Sequence, residues 1–187
     1  MSFLGDLFAR AGQVEPPALE GWIDGMYDGF DAYNAAFAGA ELTNIDFDRA
    51  VFVFDLTLER VVLACALSQP AVAVRDVRRI RGFPGVNALV KHVLGPAAFI
   101  ADKGHFLGHV SGGQLDINLF PQRRELNRGW SEEGKVFRAM EKQVAANPGT
   151  FFFHQPRYDD DSPIPATLRF GVFNEGSGWR VGTFRNK

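Results

Sequence analysis

Between residues 101 and 141 an otherwise apolar stretch becomes dense in groups that can do chemistry. In order these are Asp102-Lys103-Gly104-His105, a glycine pair at 112–113, Asn118, Pro121-Gln122, Leu126-Asn127-Arg128-Gly129 and Glu141. An imidazole titrates near neutrality and can carry a proton. Carboxamide and carboxylate oxygens suit a hard divalent cation. Arginine meets a phosphate with a planar two-point fork, lysine as a point charge. Each piece taken alone has a plainer reading. A histidine after a strand is more often a structural group, and Asn-Arg-Gly is more often a turn. Order and density together set this stretch apart. His109 lies one helical turn from His105 in number, but strand and loop are expected there, and His92 and His154 fall outside the ordered set.

The set resembles the DNA/RNA non-specific endonuclease family, whose members carry a ββα-metal (His-Me finger) site. The family pattern is Asp-Arg-Gly-His, a glycine pair, Asn-x-x-Pro-Gln, Leu-Asn-x-Gly and a helical Glu. Asp102 to His105 matches all but one position of the first element, and Gly112-Gly113, Asn118, Pro121-Gln122, Leu126-Asn127-Arg128-Gly129 and Glu141 follow in order. The similarity spans residues 102–141 and, weakly, the strands after them, while residues 1–95 take no part.

The resemblance implies a metal-dependent, sequence-non-specific endonuclease hydrolysing DNA or RNA phosphodiester bonds. His105 would be the general base that activates water. Asn127 would be the direct ligand of Mg²⁺, with Mn²⁺ as a substitute, and Glu141 would order the metal-bound waters. Asp102 and Lys103 complete the implied catalytic group, Asn118 and Gln122 support it, and Arg124 and Arg128 are candidates for substrate phosphate. One departure matters: Lys103 stands where the family has arginine, and the two are not interchangeable at a phosphate. This keeps open a nucleic-acid-binding protein that retains the nuclease fold with weakened catalysis. A regulatory protein whose acidic N-terminal segment does the work is a further alternative. The presence of both His105 and Asn127 argues against each. Glu132 and Glu133 sit in a first helical turn, where the helix dipole already explains them.

The charge distribution fits this reading better than the net value of −2. Residues 1–70 carry 11 acidic and 3 basic side chains, and residues 71–187 carry 11 acidic and 17 basic ones. A basic body suits a polyanion such as DNA or RNA. A second copy of the chain and a protective inhibitor protein are the other partners considered. The single cysteine, Cys65, excludes an intrachain disulfide and zinc sites built on several cysteines. No apolar run of about 18 residues exists to span a membrane, and the N-terminus has no basic, long-apolar leader. A cytoplasmic protein, or one exported without a cleavable signal, is the expectation.

Several elements must position these groups. Trp22, Met26, Phe30, Tyr33 and Phe37 form one stripe of a helix over Leu19–Phe37, and Gly21, Gly25 and Gly29 form another. Val51–Leu56 reads as a strand, whereas Thr57–Gln69 fits helix or strand equally. Ala71–Ile80 alternates as a strand, overlapped by Arg75, Arg78, Arg79 and Arg81. Pro84 suits the start of a helix that Gly95-Pro96 stops. Strands are expected from Ala97–Ile100 and Asn118–Phe120, then a helix over Ser131–Ala146 with Ser131 as its cap. Phe151–Phe153, Ala166–Phe173 and Trp179–Phe184 read as three closing strands. The expected class is α+β: a central antiparallel sheet, flanking helices and a ββα-metal site. Residues 1–45 would form an acidic helical segment packed on or appended to a nuclease domain at 46–187.

Overall fold

Two helices open the chain, α1 (Phe3–Arg10) and α2 (Glu20–Ala36), followed by a meander of β1 (Leu42–Phe47), β2 (Ala50–Asp55) and β3 (Arg60–Leu67). Helix α3 (Val86–Leu94) leads to β4 (Ala101–His105) and β5 (Leu119–Arg123). A short α4 (Arg124–Arg128) and a longer α5 (Glu132–Ala146) precede β6 (Phe151–Arg157), β7 (Thr167–Asn174) and β8 (Gly178–Arg185). This computed structural model describes residues 3–16, 19–71, 85–113 and 116–187. The expected strand from residue 72 onward, its arginines at 75, 78, 79 and 81, and Pro84 lie outside the described residues, as does the side chain of Met26.

The fold is mixed α+β. Six strands form one sheet in the order β1-β2-β3-β6-β7-β8, each neighbouring pair antiparallel, while β4 and β5 form a separate two-stranded ribbon. Alternation along a strand sends successive side chains to opposite faces, and here both faces are covered. Val51, Val53, Cys65, Leu67, Phe151 and Phe153 pack with Leu4, Leu7, Phe8, Trp22 and Tyr33 of α1 and α2. Their neighbours Phe52, Ala64, Ala66 and Phe152 pack with Phe106, Phe120, Leu126, Phe137 and Met140, from the ribbon and the helices after it. The sheet is therefore the middle of three layers, with the chemistry-bearing ribbon on one side of it and the N-terminal helices on the other.

Double-sided burial explains the ambiguity over Thr57–Gln69. Every residue of β3 is buried, so no polar face marks a period of two. The ribbon departs from expectation in two respects. Residues 97–100 are irregular and β4 begins at Ala101; Ile100 is half-exposed, and its carbonyl accepts from the Arg124 N–H at 3.0 Å. The strand after Asn118 pairs with β4 alone instead of extending the main sheet. Cys65 is fully buried in the core on the α1–α2 side, and burial pushes its thiol up to about 12, leaving it inert. Among the described residues, no helix is long and apolar enough to cross a membrane.

One polar network ties α2 to the sheet. The Tyr33 hydroxyl donates to Asp55 Oδ2 at 2.6 Å and accepts from Arg60 Nε at 2.7 Å. Asp55 Oδ1 accepts from the backbone N–H groups of Thr57 and Leu58 and so shapes the β2–β3 turn. Arg60 lies between the Phe37 and Tyr158 rings, 4.1 and 4.0 Å from their centroids, and donates to the carbonyls of Asp160 and Ser162. Burial alone would raise the Asp55 carboxyl, but the Tyr33 and backbone hydrogen bonds outweigh it and hold the group below its ordinary value. A lowered folded value means stability that is present above about pH 4 and lost as the pH falls through that lower value. Tyr33→Phe leaves the buried carboxylate short of a donor. It should cost about 1–3 kcal/mol in urea unfolding at neutral pH, and the loss should shrink as the pH is lowered toward 3.

Candidate functional site

Between β4 and β5, residues on either side of the connection, Phe106-Leu107 and Asn118, are tied to each other. Asn118 is completely buried; its Oδ1 accepts from the Leu107 N–H at 2.7 Å and its Nδ2 donates to the Leu107 carbonyl at 2.8 Å. The Phe106 N–H donates to the Asn118 carbonyl, and the Phe106 and Phe120 rings stack 4.3 Å apart. The glycine pair has two separate causes. Gly112 adopts φ +89°, in the region that favours glycine, and a Cβ on Gly113 would fall 1.7 Å from the Leu107 carbonyl oxygen. Asn118 and Gly113 thereby set the direction in which the chain leaves His105.

On β4, Asp102 pairs with Gln122, Lys103 with Pro121, Gly104 with Phe120 and His105 with Leu119. Alternation places Asp102 and Gly104 on one face of the ribbon, Lys103 and His105 on the other. Gln122 is buried and occupies the space over Gly104, where a Cβ would meet its Oε1 at 2.4 Å. Lys103 and His105 are half-buried, His105 at the last residue of the strand where the connection begins.

Asp102 collects three of the other candidates. Its carboxylate accepts from Arg124 Nε at 3.0 Å, from Arg128 Nε at 2.6 Å and Nη2 at 3.1 Å, and from Asn127 Nδ2 at 3.4 Å. Burial would raise this carboxyl, yet the hydrogen bonds from Arg128, Arg124 and Asn127 prevail and hold it below the usual range. Asp102 is thus an ionised tie between β4 and α4. Because Nδ2 of Asn127 is turned to Asp102, Oδ1 is the atom of that amide suited to bind a cation. The two arginines expected at substrate phosphate spend N–H groups on Asp102, so any phosphate they meet shares them with this carboxylate.

Glu141 lies in a different environment. Its side chain is only 12% exposed, and Oε2 accepts from Arg138 Nη1 at 2.6 Å. Burial raises its carboxyl above the ordinary value, against the opposing pull of Arg138. Its Oε1 faces the connection that follows His105, 3.6 Å from where a Cβ on Gly108 would stand. Glu132 and Glu133, by contrast, are exposed in the first turn of α5, whose cap is Ser131 accepting from the Gly134 N–H.

The structure therefore joins Asp102, Asn127, Arg124 and Arg128 by direct hydrogen bonds, and brings Glu141 against the loop three residues beyond His105. His154 is fully buried against Phe137 and Phe170, and burial takes its imidazole down to about 3, so it stays neutral. His92 is exposed in the last turn of α3, and His109 lies half-buried in a 3-10 turn. Among the described residues there is no group of three or more His, Cys, Asp or Glu side chains able to hold a metal. The Asn127 amide and the Glu141 carboxylate each carry an oxygen of the kind Mg²⁺ accepts while keeping most of its waters.

Two positioning residues stand outside the set expected from the sequence. Asn186 is wholly buried: its Oδ1 accepts from the Arg123 N–H at 2.8 Å, and its Nδ2 donates to the carbonyls of Pro121 and Pro165 at 3.0 and 2.9 Å. It pins β5 to the end of the main sheet, although a penultimate asparagine reads as a tail. Arg138 stands beside Glu141 at helical spacing, which could have marked it as an ion-pair partner. Comparison with protein-family models and with curated proteins found no match for this chain.

Proposed function

We propose that the protein is a divalent-metal-dependent endonuclease that hydrolyses DNA or RNA phosphodiester bonds without sequence preference. The observation that carries this reading is one of placement. The ordered residues from Asp102 to Glu141 fall on a strand, a partner strand and the helices behind them, with Asn127 hydrogen-bonded to Asp102 across 25 positions of sequence. Strand, strand and helix is the order that a ββα-metal site requires.

Hydrolysis needs a water deprotonated, the phosphoryl charge met and the leaving oxygen stabilised. In this reading His105, at the end of β4, takes a proton from the attacking water. The water oxygen bonds to phosphorus, the bond to the 3′ oxygen breaks, and that oxygen takes a proton from solvent water, giving a 5′-phosphate end. The Asn127 amide oxygen and, through water, the Glu141 carboxylate would hold Mg²⁺, which supplies positive charge to the phosphoryl and leaving oxygens when bound. Lys103 adds a cation on the same strand face as His105. Asp102 acts on the chemistry indirectly, by fixing the orientation of Asn127 and the spread of Arg124 and Arg128. Contacts of this kind read phosphate charge instead of base edges, which is why no sequence preference is assigned.

Plasmid digestion with Mg²⁺, repeated with EDTA, tests the proposal as a whole: cleavage should require the ion. His105→Ala should lower the rate by about 10²–10⁴-fold while the far-UV circular dichroism stays unchanged. A variant that digests at the wild-type rate would remove His105 from the mechanism.

Asn127→Ala should raise the Mg²⁺ concentration needed for half-maximal rate, and saturating Mg²⁺ or Mn²⁺ should recover part of the loss. A metal titration of the rate is the measurement, and an unshifted midpoint counts against Asn127 as ligand.

Glu141 must be ionised to order metal-bound waters, and burial lifts its carboxyl above the ordinary range. Activity should therefore begin to fall at a higher pH on acidification than an exposed glutamate would permit. Glu141→Gln should lower the rate and flatten that acidic limb of the profile.

A further inference from the structure

Trp130 is 62% exposed, the most exposed of the large hydrophobic aromatic side chains among the described residues, and it stands three residues after Asn127. Large exposed rings are usually mobile, but the backbone here is clamped from both sides. At the end of α4, Gly129 has φ +70° and its N–H donates to the Leu126 carbonyl, while the Trp130 N–H donates to the Glu125 carbonyl at 2.9 Å. This is the double hydrogen bond of a Schellman helix ending. On the other side Ser131 caps α5, and Gly134 lets the two helices meet, since a Cβ there would fall 2.5 Å from the Glu125 carbonyl oxygen.

In such an ending the residue at Trp130's position commonly packs back on its own helix. Here the indole is turned to water, and the Arg128 guanidinium lies over it, 5.0 Å from the ring centroid. Arg138 packs its stem against Gly129. The ring is thus a solvent-facing apolar plate on a fixed backbone with the Arg128 cation over it, three residues along the chain from the candidate metal ligand Asn127. A flat π-surface beside a guanidinium suits a ligand that is itself flat, aromatic and attached to phosphate.

We propose that Trp130 is a stacking platform for one unpaired nucleobase, and that the protein consequently prefers single-stranded to duplex nucleic acid. A base inside a duplex has both faces occupied by its neighbours and cannot reach the plate, whereas a splayed base stacks on it whatever its identity. A backbone already fixed by the clamp lowers the entropy lost on binding. The inference rests on the nucleic-acid reading of the neighbouring site and specifies its substrate class.

The test uses the full chain in EDTA, so that binding is read without cleavage. A labelled single-stranded oligonucleotide and its duplex are titrated at one ionic strength, with tryptophan emission followed in parallel. The single strand should bind more tightly and quench part of the emission. Trp130→Ala should abolish that part of the quenching and weaken single-strand binding by roughly 5- to 100-fold, with duplex binding and melting temperature unchanged. Trp130→Phe, which keeps a ring, should retain most of the affinity. Equal affinities for the two forms, no quenching, or no binding by either form overturns the platform. Cleavage of both forms in Mg²⁺ at equal rates by wild type and Trp130→Ala overturns the platform and leaves the nuclease proposal standing. Quenched, Trp130-dependent binding without any Mg²⁺-dependent cleavage does the reverse.

Discussion

A sheet whose inner strands carry apolar side chains on both faces must be covered twice, and that requirement organises this molecule. β3 and nearly all of β6 are buried, so neither face of the sheet's centre can meet water. The stripe of α2, with α1, closes one face by setting Trp22 against Phe151, Phe153 and Trp179 at 5.3, 4.8 and 5.6 Å between rings. The other face is closed by Phe106, Phe120, Leu126, Phe137 and Met140. These residues interleave with the candidate site along the chain, so the packing that completes the core also decides where His105, Asn127 and Glu141 stand.

A two-stranded ribbon is marginal by itself, and this one is secured by buried asparagines. Asn118 bonds both backbone groups of Leu107, and Asn186 bonds β5 to the end of the main sheet. An asparagine side chain offers a donor and an acceptor in one plane and can stand in for a strand partner where the backbone has none. Each removes buried polar groups that would otherwise be unsatisfied, and together they orient the strand that ends in His105.

The two carboxylates of the region diverge in character because their surroundings do. Asp102 faces two arginines and an amide and stays ionised well into acid; Glu141 is sunk beside the ribbon's connection with one arginine, and burial raises it. Such divergence is a common feature of sites where two acids have different tasks. Here it separates a structural tie, Asp102, from a group whose charge is sensitive to what binds beside it.

By itself the sequence determined the elements whose signals are local. Ser131 before Glu132-Glu133-Gly134, and Asn147-Pro148-Gly149 after the apolar run, delimit α5 because capping and helix stopping act within a turn. The stripe from Trp22 to Phe37 delimits α2 for the same reason, and the residues from Asp102 to Glu141 stand out by order alone. Only the tertiary structure decided the rest. β1 was unreadable because its partly exposed residues acquire strand character from pairing with β2. β3 was ambiguous because burial on both faces erases the alternation that distinguishes a strand. Arg124 and Arg128 read as candidates for phosphate or scaffold contacts, and it is the fold that brings Asp102 to them across 22 and 26 positions. Asn186 and Trp130 had no local mark at all: what each does depends on which surfaces the long-range packing brings to it, and which it leaves in water.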